Sequence, residues 1–167
     1  PSAATIARID RFLRDPTASQ VTLVRDRAVA VPSWDLIMRI LAKAEPAPGC
    51  NVERAELSPD ETDGPSLRLE GWVSHLGRLP APTTGIVRLS GPGGDYLVPI
   101  RTDRRRPDVG ARFDNPMAEL SGFSERMSLG ALPPGEYRIN VYRRARKRWI
   151  YCTPQVVEIA PRGGNVQ

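Results

Sequence analysis

From Cys50 onward the apolar pattern switches to a period of two in a series of short segments, with residues 102–122 irregular and polar among them, and this switch constrains the fold more than any other feature. A period of two places successive side chains on opposite faces of a strand, so each such segment has one face to bury. In Ser66–Ser74, Leu67, Leu69, Gly71 and Val73 alternate with Arg68, Glu70, Trp72 and Ser74. Gly85–Ser90 follows, then the turn sequence Gly91-Pro92-Gly93-Gly94, after which Tyr96, Val98 and Ile100 share a face. Further strands are predicted over Phe123–Leu129, Glu136–Arg143, Trp149–Cys152 and Val156–Ile159, with a weaker one over Asn51–Leu57. Short strands separated by turn signals at this spacing predict a mostly-β β-sandwich of about seven or eight strands over residues 50–161.

Residues 1–46 follow a different rule. Ile6, Ile9, Phe12 and Leu13 form a helical stripe over Ala4–Arg14 that stops before Pro16. Val21–Val31 reads as a short hairpin or bent strand, and Ser33 then caps a second helix whose buried face is Leu36, Ile37, Ile40 and Leu41. The expected organisation is an N-terminal extension (1–46, two helices around a hairpin), a linker over Ala44–Gly49, the sandwich, and a tail over 162–167. Pro1 in place of Met, with no signal-like apolar run, reads as a fragment of a longer chain.

Composition limits function in two ways. A 40% hydrophobic, 26% charged chain of 167 residues holds enough apolar matter for one core, and no apolar run reaches the roughly 18 residues that span a bilayer. The net charge of +5 comes almost wholly from arginine, since Lys43 and Lys147 are the only lysines. Interspersed Asp and Glu make this ordinary surface charge over most of the chain.

No catalytic group assembles from the sequence. His75 is the single histidine, and no nucleophile elbow, zinc-protease helix, phosphate loop or dinucleotide fingerprint occurs. Gly91–Gly94 precedes a strand rather than a helix, so it lacks the dipole that holds phosphate. Asp60, Glu61 and Asp63 form an acidic turn whose spacing matches no calcium loop. No cofactor, metal or catalytic residue is therefore expected. Cys50 and Cys152 lack a C-x-x-C arrangement; they either pair or stand as two buried thiols.

Two basic clusters remain, Arg101 with Arg104–Arg106, and the hairpin tip Arg143, Arg144, Arg146, Lys147 and Arg148 between Tyr142 and Trp149. The tip reads first as a solvated turn; as a binding patch it suits anionic headgroups of a membrane, acidic glycan groups or nucleic acid. No RNA-binding signature or helix-turn-helix pattern accompanies it, which argues against nucleic acid.

Four ordered pieces carry a resemblance. They are Gly71-Trp72-Val73, Arg105-Arg106-Pro107-Asp108-Val109 with Phe113, Ser121-Gly122-Phe123, and Leu132-Pro133-Pro134-Gly135-Glu136-Tyr137. Over residues 65–160 the chain resembles a bacterial immunoglobulin-like accessory module attached to glycosyltransferases and other glycan-modifying enzymes. The resemblance implies a non-catalytic domain of a glycan-assembling protein, tied to the cell envelope through its parent, that binds carbohydrate or positions the catalytic part. Protein–protein assembly through the N-terminal helices is the alternative. Trp72, Tyr96, Trp149 and Tyr151 are the expected exposed stacking faces for sugar rings, with Arg106 and Asp108 for hydroxyl groups. The pieces also carry local expectations: Pro134-Gly135 as a type II turn, Asp108 as a helix cap, and Gly122 as a tight strand entry.

Overall fold

A computed structural model describes residues 34–59, 64–130 and 132–161, with side chains from residue 36 onward. The helix over Ala4–Arg14, the hairpin over Val21–Val31, the Ser33 cap, the acidic turn Asp60–Asp63 and the tail 162–167 lie outside these residues.

The protein is mostly β, built from two sheets that share one core. All eight strands expected from the alternation are present, and two strands of two residues each join them. In chain order the elements are α1 (Trp34–Ala42), β1 (Glu45–Pro46), β2 (Gly49–Ser58), β3 (Ser66–Ser74), β4 (Thr84–Gly91) and β5 (Gly94–Arg101). They continue with β6 (Arg104–Arg105), α2 (Pro107–Arg112), a 3₁₀ turn (Pro116–Glu119), β7 (Leu120–Ser128), β8 (Gly135–Ala145), β9 (Arg148–Tyr151) and β10 (Gln155–Ile159). One sheet runs β2-β3-β7-β6; the other runs β1-β9-β8-β4-β5, with β10 also on β8. Between them lie Leu67, Leu69, Val73, Phe123 and Met127 from the first sheet, facing Val87, Leu89, Val98, Tyr137, Ile139 and Val141 from the second. Each large apolar side chain buried this way stabilises the fold by about 1.5–3 kcal/mol.

β9 and β10 are one strand with a break. Arg148–Tyr151 pairs with Tyr142–Ala145, and Gln155–Ile159 pairs with Gly135–Ile139 further along the same strand. The Cys152 N–H still donates to the Val141 carbonyl at 2.9 Å. Pro154 has no N–H to give, so the ladder lapses there and resumes at Gln155.

Four local expectations are corrected. Ala44–Gly49 is no free linker: β1 pairs in parallel with β9 at Glu45↔Ile150 and Pro46↔Tyr151. Residues 102–122, read as irregular, contain β6, α2 and the 3₁₀ turn. Gly122 lies inside β7 rather than at its entry, where a Cβ would stand 2.8 Å from Arg106 Cγ. Arg106, not Asp108, is the N-cap residue of α2, and its side chain makes no capping bond. The turn before β8 keeps its expected left-handed glycine, with φ of +138° at Gly135.

Helix α1 uses the face its sequence marks. Ile37 and Leu41 are buried against Ile86, Leu97 and Tyr142 on the outer face of the second sheet. The outer face of the first sheet is covered by the α2 segment, where Val109 and Ala118 bury Trp72.

Candidate functional site

The site grows from the α2 segment. Its entry is fixed by Arg106, whose guanidinium donates to both carboxylate oxygens of Glu53 at 2.9 and 2.8 Å and to both of Asp108 at 2.9 and 2.6 Å. Glu53 reaches it because a β-bulge between Val52 and Arg54 sets that residue apart from the ladder. Two carboxylates hold the Arg106 guanidinium well above its ordinary range, and the same contacts lower Asp108. Arg106 and Asp108, expected to meet a ligand, are thus satisfied by each other and by Glu53.

At the far end of α2, Phe113 meets Trp72 edge-on with ring centroids 5.7 Å apart. The Arg112 guanidinium lies over both rings, 5.9 Å from Trp72 and 5.8 Å from Phe113. Gly49 makes room for this stack: a Cβ there would stand 3.2 Å from the Trp72 ring. Cys50 and Cys152 form a disulfide across a Cα separation of 5.6 Å, joining β2 in one sheet to the break between β9 and β10 in the other.

Together these pieces leave a groove of about 850 Å³ along one edge of the sandwich. Its base is Pro46–Val52 with the disulfide. One wall is Trp72, Arg112 and Phe113, and the other is Tyr151–Gln155 with Arg138. The volume falls within the range of small-molecule sites. Among the described residues no Asp or Glu lines it.

The structure brings two of the expected stacking residues, Trp72 and Tyr151, to this groove and places the others elsewhere. Trp72 is only 5% exposed, so it lends an edge rather than an open face. Tyr151 is half-buried, with its ring 6.0 Å from Tyr142. Tyr96, at 3% exposure, is a core residue whose hydroxyl points at the Pro92 carbonyl 3.4 Å away. Trp149 is half-buried against the α1 cluster. Asn51, Arg112, Arg138 and Gln155 were not expected at a site. Five pieces of the chain remote in sequence converge on it, and no local pattern in any of them marks the convergence.

The basic tip is also smaller than the charge run implied. Arg143 is a correction: it is 1% exposed, pointing between the sheets and donating to the Val73 carbonyl at 2.7 Å and the Leu120 carbonyl at 2.9 Å. Its Nε has no partner among the described residues, and burial pushes the guanidinium down to about 10. Arg148 pairs with Glu45, and Arg144 donates to the Arg146 carbonyl. Arg146 and Lys147 form the exposed turn.

His75 follows β3 directly and lies 3.0 Å through Nε2 from the Leu79 carbonyl. Burial, aided by the nearby Arg143 charge, lowers its pKa and favours the neutral ring. Among the described residues no group of three or more His, Cys, Asp or Glu side chains converges to hold a metal. No helix among them is long and apolar enough to cross a membrane. Comparison of the chain with protein-family models, curated proteins and solved structures finds no match.

Proposed function

We propose that the chain is a non-catalytic, immunoglobulin-like accessory module of a larger glycan-assembling protein, and that it holds carbohydrate in the edge groove. Two features support the fold half of this proposal. The strand orders β2-β3-β7-β6 and β9/β10-β8-β4-β5 correspond to the A-B-E-D and G-F-C-C′ arrangement of immunoglobulin-like sandwiches. At the start of β8, the F position, the Tyr137 hydroxyl donates back to the Pro133 carbonyl at 2.8 Å, which is the geometry of a tyrosine corner.

The groove is the observation that carries the binding half. Tyr151 contributes ring surface, and Asn51, Thr153 and Gln155 contribute amides and a hydroxyl. Sugar recognition needs this combination of an apolar ring face flanked by short polar groups. The inter-sheet disulfide also suits an oxidising compartment, as an envelope setting would provide. A glycan array, followed by calorimetry on hits, tests the proposal with the chain and its Tyr151→Ala variant. Binding that weakens about tenfold in the variant is expected. No retention of any envelope-type glycan, or retention indifferent to Tyr151, overturns carbohydrate binding in this groove.

A further inference from the structure

We infer that the groove takes a negatively charged sugar, bearing a carboxylate or a phosphate, with Arg112 and Arg138 as its anchors. This rests on the carbohydrate-binding proposal above and narrows it to one ligand class.

The inference starts from how this surface treats its other arginines. Arg54, Arg68, Arg88, Arg101, Arg105, Arg106 and Arg148 each stand against an Asp or Glu within ion-pair distance, whereas Arg78, Arg104, Arg126 and Arg146 stand outside the groove with no such pair among the described residues. Arg112 and Arg138 form no ion pair among the described residues, and both are exposed. They line the same groove, whose described lining holds these two cations and no carboxylate. A concave site with one sign of charge concentrates ligands of the other sign.

Arg112 is also held in a particular way. A cation–π contact engages the charge of a guanidinium without consuming its N–H donors. Those donors match the two oxygens of a carboxylate or phosphate. Trp72 and Phe113 therefore limit the freedom of the cation without using its hydrogen-bonding capacity, which lowers the entropy lost when an anion docks. A neutral sugar would leave that capacity to water alone. Tyr151 and the amides of Asn51 and Gln155 supply contacts to the sugar ring and hydroxyls, so the anion need not be bound bare.

The experiment is calorimetry on the full chain with four probes: trigalacturonate, glucose 1-phosphate, maltotriose and sodium phosphate. The variants are Arg112→Gln, Arg138→Gln and the double substitution, each confirmed folded by its thermal melt. Binding of trigalacturonate or glucose 1-phosphate is expected, at least tenfold weaker in each single variant, and weaker as NaCl rises from about 50 to about 500 mM. Which of the two binds distinguishes a carboxylate source from a phosphate source. Maltotriose binding as tightly as the acidic probes overturns the anionic class and leaves carbohydrate binding standing. Sodium phosphate binding as tightly as glucose 1-phosphate overturns the sugar requirement and with it carbohydrate binding. Acidic-probe binding unchanged in the double variant overturns the assignment to these arginines. Silence of all four probes overturns the inference, and the glycan array then decides whether carbohydrate binding falls with it.

Discussion

Removing the Tyr137 hydroxyl isolates one polar contact at the corner of the sandwich. Tyr137 is fully buried, and its hydroxyl lies 2.8 Å from the Pro133 carbonyl and 3.0 Å from the Pro92 carbonyl. It links the loop before β8 to the β4–β5 turn, two segments that strand pairing does not connect. Tyr137→Phe keeps the ring in the core and removes only the oxygen. A neutral hydrogen bond contributes about 0.5–1.5 kcal/mol net, and a buried acceptor left bare costs about 1–3 kcal/mol. Pro92 retains the Tyr96 hydroxyl at 3.4 Å, so the penalty falls mainly on the Pro133 carbonyl. A loss of about 2 kcal/mol is expected. With urea m-values of about 1–3 kcal/mol/M, the unfolding midpoint should fall by roughly 1 M at unchanged m. Tyr96→Phe is the internal control, because its single long bond predicts a loss below about 0.5 kcal/mol. A Tyr137→Phe protein within about 0.5 kcal/mol of the parent, or a Tyr96→Phe protein equally destabilised, would refute this account of the corner.

The disulfide closes a sequence separation of 102 residues. Restraint of the unfolded chain alone gives about 4–5 kcal/mol for a loop of this size, so Cys50→Ala with Cys152→Ala should melt roughly 10–20 °C lower, read by calorimetry. Arg143 makes a pH prediction. A cation whose pKa is depressed to about 10 on folding carries fewer protons than in the unfolded chain, so it adds stability as pH climbs through that value. Between pH ~9 and ~11 the parent should gain roughly 1 kcal/mol relative to Arg143→Met in urea titrations. Parallel pH profiles of the two proteins would show that Arg143 titrates normally.

The sequence spelled out the strands because a half-buried strand writes its own period, as in Leu67, Leu69, Gly71 and Val73. The same period held the correct placement of Arg143. It shares parity with Tyr137, Ile139 and Val141, which face inward, but the run of five basic residues reads as a solvated tip. Tyr96 follows the same logic, since its partners Val98 and Ile100 are core residues. Trp72 stands on the polar face of β3, and only the distant α2 segment explains its burial. β1 and β6 are two residues long, too short for any periodicity to show. The groove was illegible for a further reason: its lining comes from Pro46–Val52, Trp72, Arg112–Phe113, Arg138 and Tyr151–Gln155, which meet only through sheet pairing, ring packing and a covalent bond.

That bond has a mechanical consequence. Tension applied at the two ends would enter through the segment before Cys50 and leave through the segment after Cys152. The load would cross between the sheets at the sulfur bridge, so most of the sandwich would lie off its path. Pulling could strip α1 and β1 from one side and β10 from the other, yet β3 to β8 would stay inside a closed covalent ring and could not be drawn out into extended chain.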